Sequence, residues 1–125
     1  MAGAKTAGVK PRAEMVNLPS RGGAMAILDF GPPDRPIDIV FSHGNGFNAR
    51  TYASIFSPLA EELRIVSVDM RGHGRTRLPT ELEGRSDWSD HVEDLVALLQ
   101  ALDVGSVVLA GHSLGGAVKI GRAHV

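Results

Sequence analysis

The sequence predicts an α/β fold, a mostly parallel sheet covered by helices on both faces. Three observations predict it. The runs Ile37–Phe41, Arg64–Asp69 and Val107–Ala110 are short, apolar and end abruptly in glycine-containing loops, as strands buried on both faces do. Between them, apolar residues recur at helical spacing. Ahead of them, two stretches joined by Ser20-Arg21-Gly22-Gly23 read as a β-hairpin.

In chain order, residues 1–12 are small, polar or charged without periodicity and are expected to form a flexible lead-in. The hairpin strands are Glu14–Leu18 and Met25–Phe30, with Pro19 limiting the first. Gly31-Pro32-Pro33-Asp34-Arg35-Pro36 breaks the chain before the first buried strand. A helix is expected over Tyr52–Leu63. The second buried strand then leads into Met70-Arg71-Gly72-His73-Gly74-Arg75, and a polar connection runs to Arg85. Trp88, Val92, Leu95, Val96, Leu99 and Leu102 define the clearest amphipathic helix, capped at Ser86 or Asp87, stopped by Gly105 and carrying His91 on a solvated face. The third buried strand turns at once into another helix. With right-handed crossovers, this order places function at the C-terminal strand ends.

Composition narrows the function classes. The 125-residue chain carries 13 Lys and Arg against 14 Asp and Glu, so no excess positive charge is available to bind nucleic acid. Without cysteine it has no disulfide framework, thiol nucleophile or Cys-based zinc site. No run of about 18 apolar residues could span a membrane, and the N-terminus lacks the apolar core of a secretory signal, so the cytoplasm is the expected location. Neither a Walker-type phosphate loop nor a His or carboxylate cluster with metal spacing occurs, so no cofactor or metal is expected.

Gly111-His112-Ser113-Leu114-Gly115 matches G-x-S-x-G directly after a predicted strand and directly before a predicted helix, the context a nucleophile elbow demands. A serine lifted out on so sharp a turn is strained. Side chains two residues to either side would strike neighbouring backbone, which calls for Gly111 and Gly115. The new helix aims its first amides at the serine, making the Leu114 N–H a candidate oxyanion donor. The alternative is a glycine-rich strand-to-helix turn without chemistry.

Three blocks together make the sequence similar to the α/β-hydrolase family: His43-Gly44-Asn45-Gly46-Phe47 after the first buried strand, Asp69-Met70-Arg71-Gly72-His73-Gly74 after the second, and Gly111 to Gly116 after the third. The resemblance runs from about Met15 to Val118. It implies a serine nucleophile at Ser113 acting on an ester, thioester or related acyl bond of a small molecule through an acyl-enzyme. It further implies that the Asn45 N–H is the second oxyanion donor, that Gly46 permits close backbone approach, and that His112 points away from the pocket. Asp69, His73 and His43 read as hydrogen-bonded loop residues outside the catalytic set. Epoxide hydrolases and haloalkane dehalogenases resemble this layout with Asp in place of Ser113, which disfavours both.

Two rival readings stand beside this one. Gly44-x-Gly46-x-x-Ala49, with Asp69 closing the next strand, contains the components of a dinucleotide-binding fingerprint, although the helix starts late for it. A non-catalytic ligand-binding protein on the hydrolase scaffold is the other. Few residues follow Ser113; they include no carboxylate and a single histidine, His124, so the acid and base of a triad are missing from the expected order of Ser, acid, His. The chain is therefore expected to be the N-terminal half of a hydrolase sheet over residues 13–118, truncated after the elbow and inactive alone. The ending from Lys119, above all Ile120-Gly121-Arg122-Ala123-His124-Val125, breaks the helical pattern and resembles a translated sequencing-library adapter, so 119–125 is expected to be non-native.

Overall fold

Alternation along the strands assigns each apolar side chain to one of two layers. The computed structural model describes residues 10–44, 46–80 and 89–112. Strands β1 (Arg12–Leu18), β2 (Gly23–Phe30), β3 (Ile39–Ser42), β4 (Ile65–Val68) and β5 (Val108–Gly111) form one sheet in the order β1-β2-β4-β3-β5. The pairs β1–β2 and β2–β4 are antiparallel, whereas β3 pairs in parallel with both β4 and β5. Helix α1 (Ala53–Leu59) follows a 3-10 turn at Ala49–Tyr52, and helix α2 (Ser89–Ala101) precedes β5.

On one face Met25, Ile27, Val40, Val66 and Val68 pack with Leu95, Leu98 and Leu99 of α2. On the other, Leu28, Phe30, Phe41 and Ile65 pack with Tyr52, Phe56 and Ala60 around α1. Neighbouring residues such as Val40 and Phe41 thus belong to opposite layers, as the period of two requires. Among the described residues, no helix is long and apolar enough to cross a membrane.

The hairpin, the three buried strands and the two helices stand where the sequence places them, with local departures. β1 begins at Arg12, inside the expected lead-in, because its guanidinium reaches Asp29 (3.1 Å) and donates to the Gly31 carbonyl (2.7 Å). Asp29 is also bound by Arg64 through two hydrogen bonds (2.8 and 3.1 Å), so one buried carboxylate ties the edge strand to the start of β4. β3 starts late, at Ile39, since the N–H groups of Asp38 and Ile39 both donate to the Arg64 carbonyl (2.9 and 3.2 Å).

The helix expected to reach Leu63 ends at Leu59. Pro58 withholds a donor from its last turn, and the Ala60 N–H is shared by the carbonyls of Phe56 and Ser57. Nor does Gly105 stop α2. The chain leaves the helix at Asp103, whose φ of +51° is a left-handed value that aspartate tolerates better than most residues. His91 is half-buried, which corrects the expectation of a solvated face. The helix carries Asp94, wholly buried, on its apolar side.

Trp88 and the cap candidates Ser86 and Asp87, the elbow helix and the tail 119–125 lie outside the described residues.

Candidate active site

β3 lies at the centre of its parallel trio, with β4 on one side and β5 on the other. In open α/β sheets ligands bind in a crevice outside the C-terminal ends of such strands. Ser42 is in register with Gly111, and the His112 N–H donates to the Ser42 carbonyl (3.1 Å). The ladder thus brings His43-Gly44 alongside Gly111-His112.

The turn after β3 is held from several directions. His43 is fully buried; its Nε2 accepts the Met70 N–H (2.9 Å), so Nδ1 carries the proton and donates to the Gly44 carbonyl (2.8 Å). Burial pushes this imidazole below its ordinary pKa, favouring the neutral ring that such bonding needs. His73 repeats the arrangement, accepting the Gly46 N–H at Nε2 (3.2 Å) with Nδ1 beside the Arg71 carbonyl (3.0 Å). Asp69 accepts the Ala49 N–H (2.7 Å) on one oxygen and the Arg75 N–H (2.9 Å) on the other. These three residues are hydrogen-bonded loop elements, as the sequence suggests.

Tyr52 joins the two strand ends. Its oxygen accepts the Gly44 N–H (3.0 Å), and His112 Nδ1 lies 2.9 Å from the same oxygen. The ring of His112 stacks on Phe47 at 5.9 Å, on the α1 side of the sheet.

Of the predicted site residues, Gly111 closes β5. Gly46 sits at φ +84°, and a Cβ there would meet no heavy atom within 4 Å. That left-handed angle is one that glycine adopts most readily. The crowding falls on Gly44, where a Cβ would lie 3.1 Å from both His112 Nδ1 and the Phe47 ring. Ser113, Leu114, Gly115 and Asn45 lie outside the described residues. Among the described residues, no group of three His, Asp or Glu is placed to hold a metal ion.

The dinucleotide reading fails on its donors. A pyrophosphate needs free N–H groups at the helix start. Here the Ala49 N–H belongs to Asp69, and those of Arg50 and Thr51 belong to the Asn48 side chain (3.0 and 3.2 Å). Both Asp69 oxygens accept main-chain amides and the residue is buried, so the carboxylate serves the loop rather than a ribose.

Residues 39–124 match the family model described as the alpha/beta hydrolase family. The chain belongs to the α/β-hydrolase family. As a hydrolase it is similar to a bifunctional esterase/perhydrolase of Acinetobacter calcoaceticus, 36% identical over 89 residues, covering 70% of this chain and 31% of that protein. A non-heme chloroperoxidase of Streptomyces lividans is 35% identical over 98 residues, covering 78% and 34%. An α/β hydrolase of Novosphingobium aromaticivorans superposes with a TM-score of 0.80 at 24% identity, covering 93% of this chain and 40% of that one. The chain spans between 22 and 41% of the length of curated relatives such as these.

Two further features of this site have a signal in the sequence. Asn48-x-x-Thr51 is a capping box, with the Thr51 hydroxyl accepting the Asn48 N–H (3.2 Å), and its spacing was visible in the sequence. Tyr52 is the one tyrosine of the chain, buried among phenylalanines. A buried phenol needs a hydrogen-bond partner, which was the available signal.

Proposed function

We propose that the native protein is a serine hydrolase in which Ser113 attacks the carbonyl of an ester, thioester or related acyl compound, and that the N–H groups of Leu114 and Asn45 hold the resulting oxyanion. The serine oxygen bonds to the acyl carbon, the alcohol or thiol leaves with a proton, and water then releases the acid and restores the serine. The observation that carries this reading is the register of β3 with β5: Ser42 pairs with Gly111 and its carbonyl accepts the His112 N–H, so Gly44 and His112, which precede Asn45 and Ser113, lie side by side at the C-terminal strand ends. The serine at position 113 favours an acyl-enzyme over the aspartyl chemistry that the resemblance attaches to epoxide hydrolases.

In such hydrolases the acid and the general base follow the nucleophile in the order Ser, acid, His. The test uses a full-length gene product carrying this chain. A fluorophosphonate probe should label it, and Ser113→Ala should abolish labelling and lower p-nitrophenyl ester turnover by about 10⁴-fold or more. Labelling that survives in Ser113→Ala overturns the assignment. A folded wild type that is never labelled supports a binding protein on the same scaffold instead.

A further inference from the structure

We propose that Tyr52 is a positioning residue whose hydroxyl locks the Gly44 turn to the nucleophile elbow. The proposal rests on the reading of Ser113 as nucleophile with the Asn45 amide as an oxyanion donor.

A phenol can accept and donate at once. The Tyr52 oxygen accepts the Gly44 N–H at 3.0 Å, and with the His112 ring protonated at Nε2 its own proton goes to Nδ1 at 2.9 Å. One hydroxyl therefore bridges the residue before Asn45 and the residue before Ser113. These belong to different strand ends, and Tyr52 and His112 are 60 positions apart in the chain.

Gly44 is held at both of its polar groups. While Tyr52 takes the N–H, the carbonyl accepts from His43 Nδ1 (2.8 Å) and from the Phe47 N–H (3.0 Å). That carbonyl shares a rigid peptide plane with the next amide, so fixing it fixes the plane carrying the proposed donor. A side chain at position 44 would press on His112 Nδ1, so the glycine there makes room for the bridge.

Tyr52 is itself well anchored. Its ring packs edge-on against Phe41 at 4.5 Å and lies 6.2 Å from Phe56. Its backbone ends the 3-10 turn capped by Asn48 and held through Ala49 by Asp69. Its role is then that of a positioning residue, acting through Gly44 and His112 on the spacing between the nucleophile and the oxyanion donor. Errors in that spacing weaken the transition state more than substrate binding, so they appear in kcat.

The experiment uses the full-length gene product with p-nitrophenyl acetate. Tyr52→Phe should lower kcat by about tenfold with KM within about twofold. His112→Asn, which keeps an acceptor near the Nδ1 position, should retain most of kcat, while His112→Leu should match Tyr52→Phe. The double variant Tyr52→Phe/His112→Leu should be no worse than either single one, because both break the same bridge. A Tyr52→Phe enzyme within about twofold of wild-type kcat, or losses that multiply in the double variant, would overturn the proposal alone. If Tyr52→Phe does not fold by circular dichroism, the His112 pair decides, and equal kcat for His112→Asn and His112→Leu overturns it. A wild type that the fluorophosphonate probe does not label would overturn the Ser113 reading and this proposal with it.

Discussion

Beneath α2 the sheet presents Met25, Ile27, Val40, Val66 and Val68, and this aliphatic layer encloses a carboxylate; beneath α1 it presents Phe30 and Phe41, and the aromatic layer encloses a phenol. The carboxylate, Asp94, is gripped by Arg71 at 2.8 and 2.9 Å and by Arg21 at 2.9 Å. Arg71 comes from the loop after β4 and Arg21 from the hairpin turn, so two connections are clamped to one helix by full charges. Those bonds raise both guanidinium pKa values above the ordinary one. On the α1 side, Gly44 is held by the Tyr52 phenol, the His43 imidazole and the Phe47 amide, and the Asp69 carboxylate is bound by main-chain amides rather than by an arginine. The difference teaches a division of labour. A charge-on-charge contact inside a dry layer is strong and unforgiving, which suits an anchor, whereas hydrogen bonds without an ion pair set position more gently.

Breaking the anchor should produce the largest loss of stability. Asp94→Ala leaves two arginines without their buried partner and should cost about 3–5 kcal/mol in urea unfolding of the full-length protein. A loss under about 1 kcal/mol would mean that the clasp is ornamental and the contrast between the faces false. Next, Gly46→Ala tests conformational demand on the α1 side. Its φ of +84° is unfavourable for alanine and no neighbour stands in the way, so the cost should be about 1–2 kcal/mol, measured in the same way. A neutral effect would show that the turn relaxes freely.

The smallest effect concerns pH. Burial lowers the pKa values of His43, at the crevice, and His91, beside the clasp. Above about pH 6.5 these rings are neutral both folded and unfolded, and their contribution is complete. As pH falls below that value the unfolded chain takes up protons first, so stability declines until the lowered folded values are passed. Unfolding free energy followed from pH 8 to 5 should fall on the acid side, with a shallower slope in His43→Gln. A profile that rises on acidification would contradict the neutral assignment of these rings.

The layers themselves were legible because burial writes a period into the chain. Ile-Val-Ser-Val in β4 and the spacing of Leu95, Leu98 and Leu99 in α2 needed no distant partner to be read. What escaped depends on pairing between remote segments. Arg12 joins β1 because Asp29 faces it across the hairpin. Asp94 looks like an ordinary charge on a helix until Arg21 and Arg71 arrive from elsewhere. The glycine blocks announced a site at the strand ends, yet the role of Tyr52 depends on contacts that no local pattern encodes. Asp103 ends a helix by adopting a backbone angle that composition would have assigned to Gly105.

The central position of β3 bears on how the site comes into being. Its parallel partner β5 lies far along the chain, and the residues bridged at the crevice are 60 positions apart. Closing so long a loop loses chain entropy before any of these hydrogen bonds can form. The crevice is therefore a high-contact-order feature, assembled with the β3–β5 ladder and absent from any folding intermediate in which β5 has yet to dock.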